Sequence, residues 1–168
     1  MSNNGRKRPK LIVFDLDYTL WPFWLHRQSN PPFCKSPCGA IIDSKGSIIQ
    51  HYEDVPAILQ RLTQKGYVLA VASRTPKVRS AEQLIELFDW NQYFTYKEIY
   101  PGKKTLHFSK VRAQSGVSYE DMLFFDDELR NIYDLRQEGV VSVLVKNGIN
   151  KGLINYGLKD YARERSYK

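Results

Sequence analysis

The sequence predicts an α/β fold in which helices cover a central parallel sheet. Short apolar runs, typical of buried parallel strands, alternate along the chain with amphipathic segments of helical periodicity. Such alternation is characteristic of βαβ units. Because the chain has 168 residues, we expect a single domain.

The first strand is expected at 11–14, where four apolar residues lead directly to Asp15 and Asp17. In open α/β sheets, functional sites lie at the carboxyl ends of the strands. Two carboxylates this close repel each other unless they share a proton or a cation, and Mg²⁺ prefers oxygen ligands. The pair therefore predicts a magnesium site. The alternative is a turn, in which Asp is common.

The stretch 21–52 is expected to form a small flap, because its prolines and bulky aromatics disfavour a regular helix. Within it, two apolar triplets at 40–42 and 47–49 flank a turn that ends in Gly46, which predicts a β-hairpin. The flap is too short to form a second domain over the predicted site, so we expect an open site.

The rest of the chain continues the alternation of helices and strands. Asp54 is the expected N-cap of the first helix and Gly66 the residue that follows its end, whereas Gly152 and Gly157 are expected to weaken the last helix. Helices are expected at 55–65, 76–88, 103–115, 129–138 and 150–165, and strands at 67–72, 94–99, 122–125 and 140–145.

The net charge of +7 arises partly from a basic segment, 1–9, which we expect to be disordered and to precede a domain spanning 10–168. The excess of positive charge suggests an anionic substrate.

The two cysteines, Cys34 and Cys38, are too few for a disulfide framework and lack the further ligands of a zinc site. No apolar stretch suits a membrane span or a signal peptide, so we expect a soluble, cytoplasmic protein without a membrane partner.

Polar side chains also follow two other predicted strands. Ser73 and Arg74 follow the second strand, and Asp126 and Asp127 follow the fourth. Parallel strands end at one edge of a sheet, so these groups should meet Asp15 there, with Lys103 and Lys104 beginning a nearby helix. Carboxylates with cations and a hydroxyl suggest a phosphate that bridges to a metal. The alternative to such a site is that Ser73, Asp126 and Asp127 only cap the helices that follow them and that the two lysines are only solvated.

Four sequence blocks together resemble the haloacid dehalogenase superfamily and, within it, the eukaryotic, capless magnesium-dependent phosphatases. The resemblance covers about 10–162, and its blocks are 14–24, 72–75, 98–103 and 124–128. It implies a Rossmann-like three-layer fold without a large cap and a phosphatase that requires Mg²⁺.

The resemblance implies a role for each acidic residue. Asp15 would be the nucleophile that forms an aspartyl-phosphate, and Asp17 would be the general acid and base. Asp15, Asp17 (through its backbone carbonyl) and Asp127 would hold the metal. Either Asp126 or Asp127 could be the direct ligand, and the family pattern favours Asp127.

The phosphoryl group would be bound by Ser73, Arg74 and Lys104. Arg74 suits phosphate because of its planar guanidinium. Lys104 is preferred to Lys103 by the family pattern, and Lys110 lies too far along the helix.

The resemblance implies activity on phosphotyrosine-like aryl phosphates or on protein-linked sugar phosphates of the fructosamine-6-phosphate type. The substrate would be a small molecule or displayed on a protein. Trp21, Phe23 and Trp24 would form either an aromatic wall for it or core beneath the flap. A nucleic-acid-end or nucleotide phosphatase is an alternative motivated by the charge, although nucleic acid is not the favoured partner. A non-enzymatic receiver-like module is a further alternative, which Asp17 disfavours.

Overall fold

The computed structural model describes residues 7–166 and contains seven strands and six α-helices within that range. The strands are β1 (Leu11–Phe14), β2 (Cys34–Lys35), β3 (Ile41–Ile42), β4 (Val68–Ser73), β5 (Phe94–Ile99), β6 (Met122–Asp126) and β7 (Val141–Leu144). The helices are α1 (Leu25–Gln28), α2 (Val55–Gln64), α3 (Val78–Leu87), α4 (Lys104–Ser115), α5 (Leu129–Gln137) and α6 (Lys151–Ser166).

Five parallel strands form the central sheet in the order β5-β4-β1-β6-β7. Strand β1 is at the centre, paired with β4 on one side and with β6 on the other. All four of its residues are completely buried, as expected for a strand covered on both faces. The predicted α/β fold with a parallel sheet is therefore confirmed.

Alternate residues of β1 face two separate cores. Ile12 and Phe14 belong to a cluster that includes apolar residues of α2, α3 and α6. Leu11 and Val13 belong to a second cluster, with residues of α4 and α5. The sheet is thus the middle of three layers, and the polar loops at its carboxyl edge are free to form a site.

The flap contains the predicted small antiparallel hairpin. The amide of Gly46 donates to the carbonyl of Asp43 in its turn, and the two triplets are joined by an antiparallel bridge between Ile42 and Ile48 and by a hydrogen bond of 2.8 Å from the amide of Ile49 to the carbonyl of Ile41. Strand β3 also pairs with Cys34–Lys35 in a two-stranded antiparallel sheet, which the sequence did not predict. A four-residue helix, α1, also lies in a stretch expected to contain no regular helix.

Asp54 lies at the N-cap position of α2, as predicted, but its side chain does not cap the helix. Its backbone is already helical and its side chain makes no capping hydrogen bond. Its Oδ2 instead accepts a hydrogen bond of 3.3 Å from the amide of Lys151, at the start of α6. The carboxylate therefore joins two helices that are distant in sequence.

The predicted disordered segment 1–9 lies mostly outside the described residues, which begin at residue 7. Arg8 donates a hydrogen bond of 2.7 Å to the carbonyl of Lys65 and lies over the ring of Tyr67. Within the described range, no helix combines the length and apolar character that crossing a bilayer requires.

Candidate active site

A cavity of about 580 Å³ opens at the carboxyl edge of the sheet, where β1, β4 and β6 end. It is lined by all six residues selected from the sequence: Asp15, Asp17, Ser73, Arg74, Lys104 and Asp127. The strand ends therefore bring together groups that the sequence separates widely.

Lys104 lies at the centre of the site and is completely buried. Its Nζ is 2.9 Å from Asp15 Oδ1, 2.9 Å from Asp126 Oδ2 and 2.6 Å from the carbonyl oxygen of Ala72. Burial alone would lower the pKa of this amine, but the charges of Asp126 and Asp15 outweigh burial and raise it. Lys104 is therefore a fixed cation, whereas its neighbour Lys103 is exposed.

Asp15, Asp126 and Asp127 form an acidic cluster in which one carboxylate oxygen of each lies within 4.8 Å of the others. Asp15 also accepts a hydrogen bond of 3.3 Å from the hydroxyl of Thr19. Burial, followed by the hydrogen bond and charge of Asp15, raises the pKa of Asp127 to about 9. The cluster thus carries more negative charge than Lys104 offsets, and it favours a bound proton or cation.

The two consecutive carboxylates, Asp126 and Asp127, have different surroundings. Asp126 is completely buried, and besides Lys104 it accepts hydrogen bonds from the amide of Glu128 and from Asn131 Nδ2. Asp127 is only half-buried and lines the cavity. The carboxylate of Asp126 is therefore engaged by Lys104, Glu128 and Asn131, and Asp127 is the one of the two that lines the cavity.

Asp17 is held by the segment that follows it. Its Oδ1 accepts hydrogen bonds of 2.7 Å from Trp21 Nε1 and 3.3 Å from the amide of Leu25, at the start of α1. Burial raises the pKa of Asp17, and these two hydrogen bonds only partly oppose that shift. A carboxyl group with a raised pKa can carry a proton closer to neutral pH than an exposed one can.

Ser73 and Arg74 line the cavity from the end of β4. The Ser73 hydroxyl accepts a hydrogen bond of 3.2 Å from the amide of Thr75, and no residue in the range 7–166 accepts its own proton, which can therefore be donated into the cavity. Arg74 is partly exposed, and its Nη1 lies 4.0 Å from Glu128 Oε2. This distance is that of a weak, partly solvated pair that a ligand can displace.

The three aromatic residues after Asp17 divide between the two predicted roles. Trp21 is completely buried and Phe23 packs on it, with ring centroids 5.6 Å apart. Trp24 is 39% exposed and lines the cavity. Only Trp24 is therefore placed to contact a ligand.

Sequence reasoning did not identify several residues around the cavity. Asn131 supports Asp126, and its position one turn into α5 could have suggested this. The others are cavity residues on α1 and at the start of α5, for which the sequence carries no evident signal: His26, Arg27, Glu128 and Arg130.

Comparison with known proteins gives a consistent result. A sequence model of the family described as acid phosphatase matches residues 7–164. Human magnesium-dependent phosphatase 1 is 45% identical over 158 residues, which are 94% of this chain and 90% of that one. A HAD-like hydrolase superfamily protein of Schizosaccharomyces pombe is 39% identical over 155 residues, covering 84% of this chain and 90% of the other.

Solved structures share the fold at low sequence identity. A predicted phosphatase from Clostridium acetobutylicum superposes with a TM-score of 0.64 at 15% identity, covering 96% of this chain and 100% of that one. A phosphatase domain from Bacteroides fragilis, solved in complex with Mg, gives a TM-score of 0.56 at 14% identity, covering 95% of this chain and 40% of that one.

Proposed function

Since this chain belongs to the acid phosphatase family and is a magnesium-dependent phosphatase of the haloacid dehalogenase superfamily, we propose that it hydrolyses phosphomonoesters through an aspartyl-phosphate on Asp15. The observation that carries this proposal is the contact between the fixed cation Lys104 and Asp15. A buried cation in contact with a carboxylate holds it in place and offsets the negative charge that it presents to an anionic substrate.

The acidic cluster fits Mg²⁺, because its oxygen donors are of the type that this ion prefers and carry an unbalanced negative charge. Asp15 and Asp127 would hold the ion directly, together with the backbone carbonyl of Asp17. Asp126 would stay bonded to Lys104 and Asn131. When bound, the ion neutralises the phosphoryl oxygens and the carboxylates around them.

In the first step, an oxygen of Asp15 attacks phosphorus and the bond from phosphorus to the leaving oxygen breaks. Asp17 gives its proton to that oxygen. In the second step, Asp17 takes a proton from a water molecule, whose oxygen attacks the aspartyl-phosphate. Inorganic phosphate leaves and the Asp15 carboxylate is restored. The raised pKa of Asp17 suits the acid role, and such a group contributes about 10²–10⁴ in rate.

The transferring phosphoryl group would lie against Ser73, Arg74 and Lys104. The free hydroxyl proton of Ser73 can be donated to one phosphoryl oxygen, and the guanidinium of Arg74 can bind another. Lys104 holds the nucleophile and offsets its charge.

For the substrate, we favour aryl phosphates of the phosphotyrosine type or protein-linked sugar phosphates. The partly exposed ring of Trp24 on the cavity wall can stack against an aryl group or a sugar face. A phosphatase for nucleotides or nucleic-acid ends is the second candidate, motivated by the net charge of +7. Steep salt dependence of oligonucleotide binding would favour it.

The test is hydrolysis of phenyl phosphate by wild type and Asp15→Asn, with and without Mg²⁺, and detection of phosphate on Asp15 by mass spectrometry after acid quenching. We expect Mg²⁺-dependent turnover that Asp15→Asn lacks. Asp121→Asn is the matched control, because Asp121 precedes β6 at the opposite end of the strand from the site. Equal turnover in Asp15→Asn and wild type would overturn the role of Asp15, and no turnover in either protein would overturn the proposal and leave a receiver-like module as the better description.

A further inference from the structure

The mouth of the cavity carries more positive charge than phosphoryl transfer uses. Three arginines line it from three different elements: Arg27 in α1, Arg74 after β4 and Arg130 in the first turn of α5. The proposed mechanism engages Arg74 and the buried Lys104. Arg27 and Arg130 have no role in it.

Neither of these two guanidinium groups is neutralised by the protein. Among residues 7–166, no carboxylate lies within 4.0 Å of Arg27 or Arg130, and both side chains are exposed. Lys104, by contrast, is paired with two carboxylates. Two unpaired cations at the mouth of a cleft attract anions and raise their local concentration.

Arg27 is also oriented. Its guanidinium carbon lies 5.0 Å from the centroid of the Trp24 ring, a cation–π contact that positions the group without neutralising its charge. Trp24 itself lines the cavity, so Arg27 is held beside the wall that a substrate would pass.

The cavity is large enough for more than a phosphate. Its volume of about 580 Å³ falls within the range of about 300–1,000 Å³ that accommodates whole small-molecule ligands. A substrate bound at Asp15 would therefore extend towards the mouth. Guanidinium groups suit carboxylate and phosphate because they offer paired, planar donors.

We propose that the preferred substrate carries a second oxyanion, a carboxylate or a phosphate, which Arg27 and Arg130 bind while its phosphomonoester lies at Asp15. This inference rests on the proposed function and adds the chemical class of the substrate. It assigns substrate selectivity to two residues outside the phosphoryl-binding set.

The experiment compares kcat/KM for para-carboxyphenyl phosphate with that for para-carbamoylphenyl phosphate, in which a neutral amide replaces the carboxylate. A third substrate, para-phosphonophenyl phosphate, shows whether the two arginines prefer a second phosphate-like group to a carboxylate. Wild type, Arg27→Gln, Arg130→Gln and the double variant are measured. Lys110→Gln is the matched control, since it removes an exposed cation of α4 that does not line the cavity.

We expect wild type to prefer at least one of the anionic substrates by about fivefold, because two exposed ion pairs each contribute only a small factor to binding. The ratio of kcat/KM for the anionic ester to kcat/KM for the carbamoyl ester should fall towards one in the double variant. It should stay at the wild-type value in Lys110→Gln and decrease with added salt. A wild-type ratio of one for both anionic substrates, or a preference that survives in the double variant, would overturn the inference alone. Failure to hydrolyse any of these esters in a Mg²⁺-dependent and Asp15-dependent way would overturn the proposed function as well.

Discussion

The indole Nε1 of Trp21 donates a hydrogen bond of 2.7 Å to Asp17 Oδ1. The ring is completely buried and stacks against Trp90, with centroids 6.2 Å apart. The core of the protein therefore fixes the orientation of a carboxylate that faces the cavity. This makes Trp21 a positioning residue for the proposed general acid.

We expect Trp21→Phe to lower kcat by about tenfold with little change in KM, because Asp17 loses its shortest hydrogen bond while the phosphoryl contacts stay in place. Steady-state kinetics with phenyl phosphate measures this split between kcat and KM.

Trp90→Phe is the matched control. Trp90 is equally buried, but its Nε1 has no hydrogen-bond partner among the residues the structure describes. The substitution should alter thermal stability and leave kcat near the wild-type value. If both variants lose activity to the same extent, the effect of Trp21 is packing alone.

Replacing Lys104 with Met should destabilise the fold by about 3–5 kcal/mol and abolish turnover, since it leaves Asp15 and Asp126 facing each other without a buried cation. Urea denaturation measures the loss of stability. We expect Mg²⁺ to restore part of it, because the ion neutralises the same carboxylates. Lys103→Met, at the exposed neighbour, should change stability by less than about 0.5 kcal/mol.

Mg²⁺ should stabilise the wild-type protein, because the cluster of carboxylates forms only in the folded chain. At a concentration about 100 times its dissociation constant, a ligand contributes about 2.7 kcal/mol, which corresponds to about 5–10 °C in Tm for a protein of this size. Differential scanning fluorimetry with Mg²⁺ and with EDTA tests this. Asp127→Asn should lose most of the shift, and Asp121→Asn should keep it.

Gly157→Ala should destabilise the protein by about 1–3 kcal/mol. A Cβ at this position would lie 2.5 Å from Cζ of Phe125, an aromatic ring of β6 that stacks on Phe14. The glycine expected to weaken α6 thus allows the helix to approach the sheet. In the same helix, the Cβ added by Gly152→Ala would contact only Asn150 Oδ1, at 3.3 Å. This substitution should change the free energy of unfolding by less than about 1 kcal/mol.

Acid should weaken the flap through Asp43. Burial alone would raise the pKa of this carboxyl, but hydrogen bonds from the amide of Ser47, from Asn30 and from the amide of Lys45 hold it below its ordinary value. A lowered folded-state pKa adds stability above the ordinary carboxyl pKa of about 4, and that stability is lost as pH falls through the folded value.

The measurement for Asp43 is Tm between neutral pH and pH 3 for wild type and Asp43→Asn. Because Asn keeps an acceptor oxygen and has no charge to titrate, the variant should be less stable than wild type at neutral pH. The difference in Tm between wild type and Asp43→Asn should decrease as the pH is lowered. A constant gap would show that the charge of Asp43 is not responsible.

The strands of the sheet and the grouping of the candidate site residues at one edge could be predicted from the sequence, because both depend on strong local signals. The buried runs at 11–14 and 122–125 are continuous apolar segments, and placing the carboxylates that follow them needed only the rule that parallel strands end at one edge. The selection of Lys104 over Lys103 depended on the family pattern, since the sequence itself offers two adjacent lysines.

The flap could be predicted only in part: its hairpin turn is a local signal, but the rest of its structure depends on contacts between distant residues. The pairing of Cys34 with Ile42 involves two-residue strands with almost no periodicity. Helix α1 has four residues and no side-chain cap, and the amide of its first residue, Leu25, donates to Asp17. The side chain of Asp54 bonds to Lys151, a partner 97 residues away that no local rule identifies.

The central position of β1 has a consequence for the order in which the protein is synthesised. This strand is the first of the sheet to leave the ribosome, yet its partner β6 is among the last. Until Met122–Asp126 has emerged, one edge of a wholly apolar strand has no neighbour and Asp15 stands without Asp126 and Asp127. The nascent chain therefore has an unpaired apolar strand edge, a site for aggregation, directly before its proposed nucleophile, and the candidate site is assembled only near the end of translation.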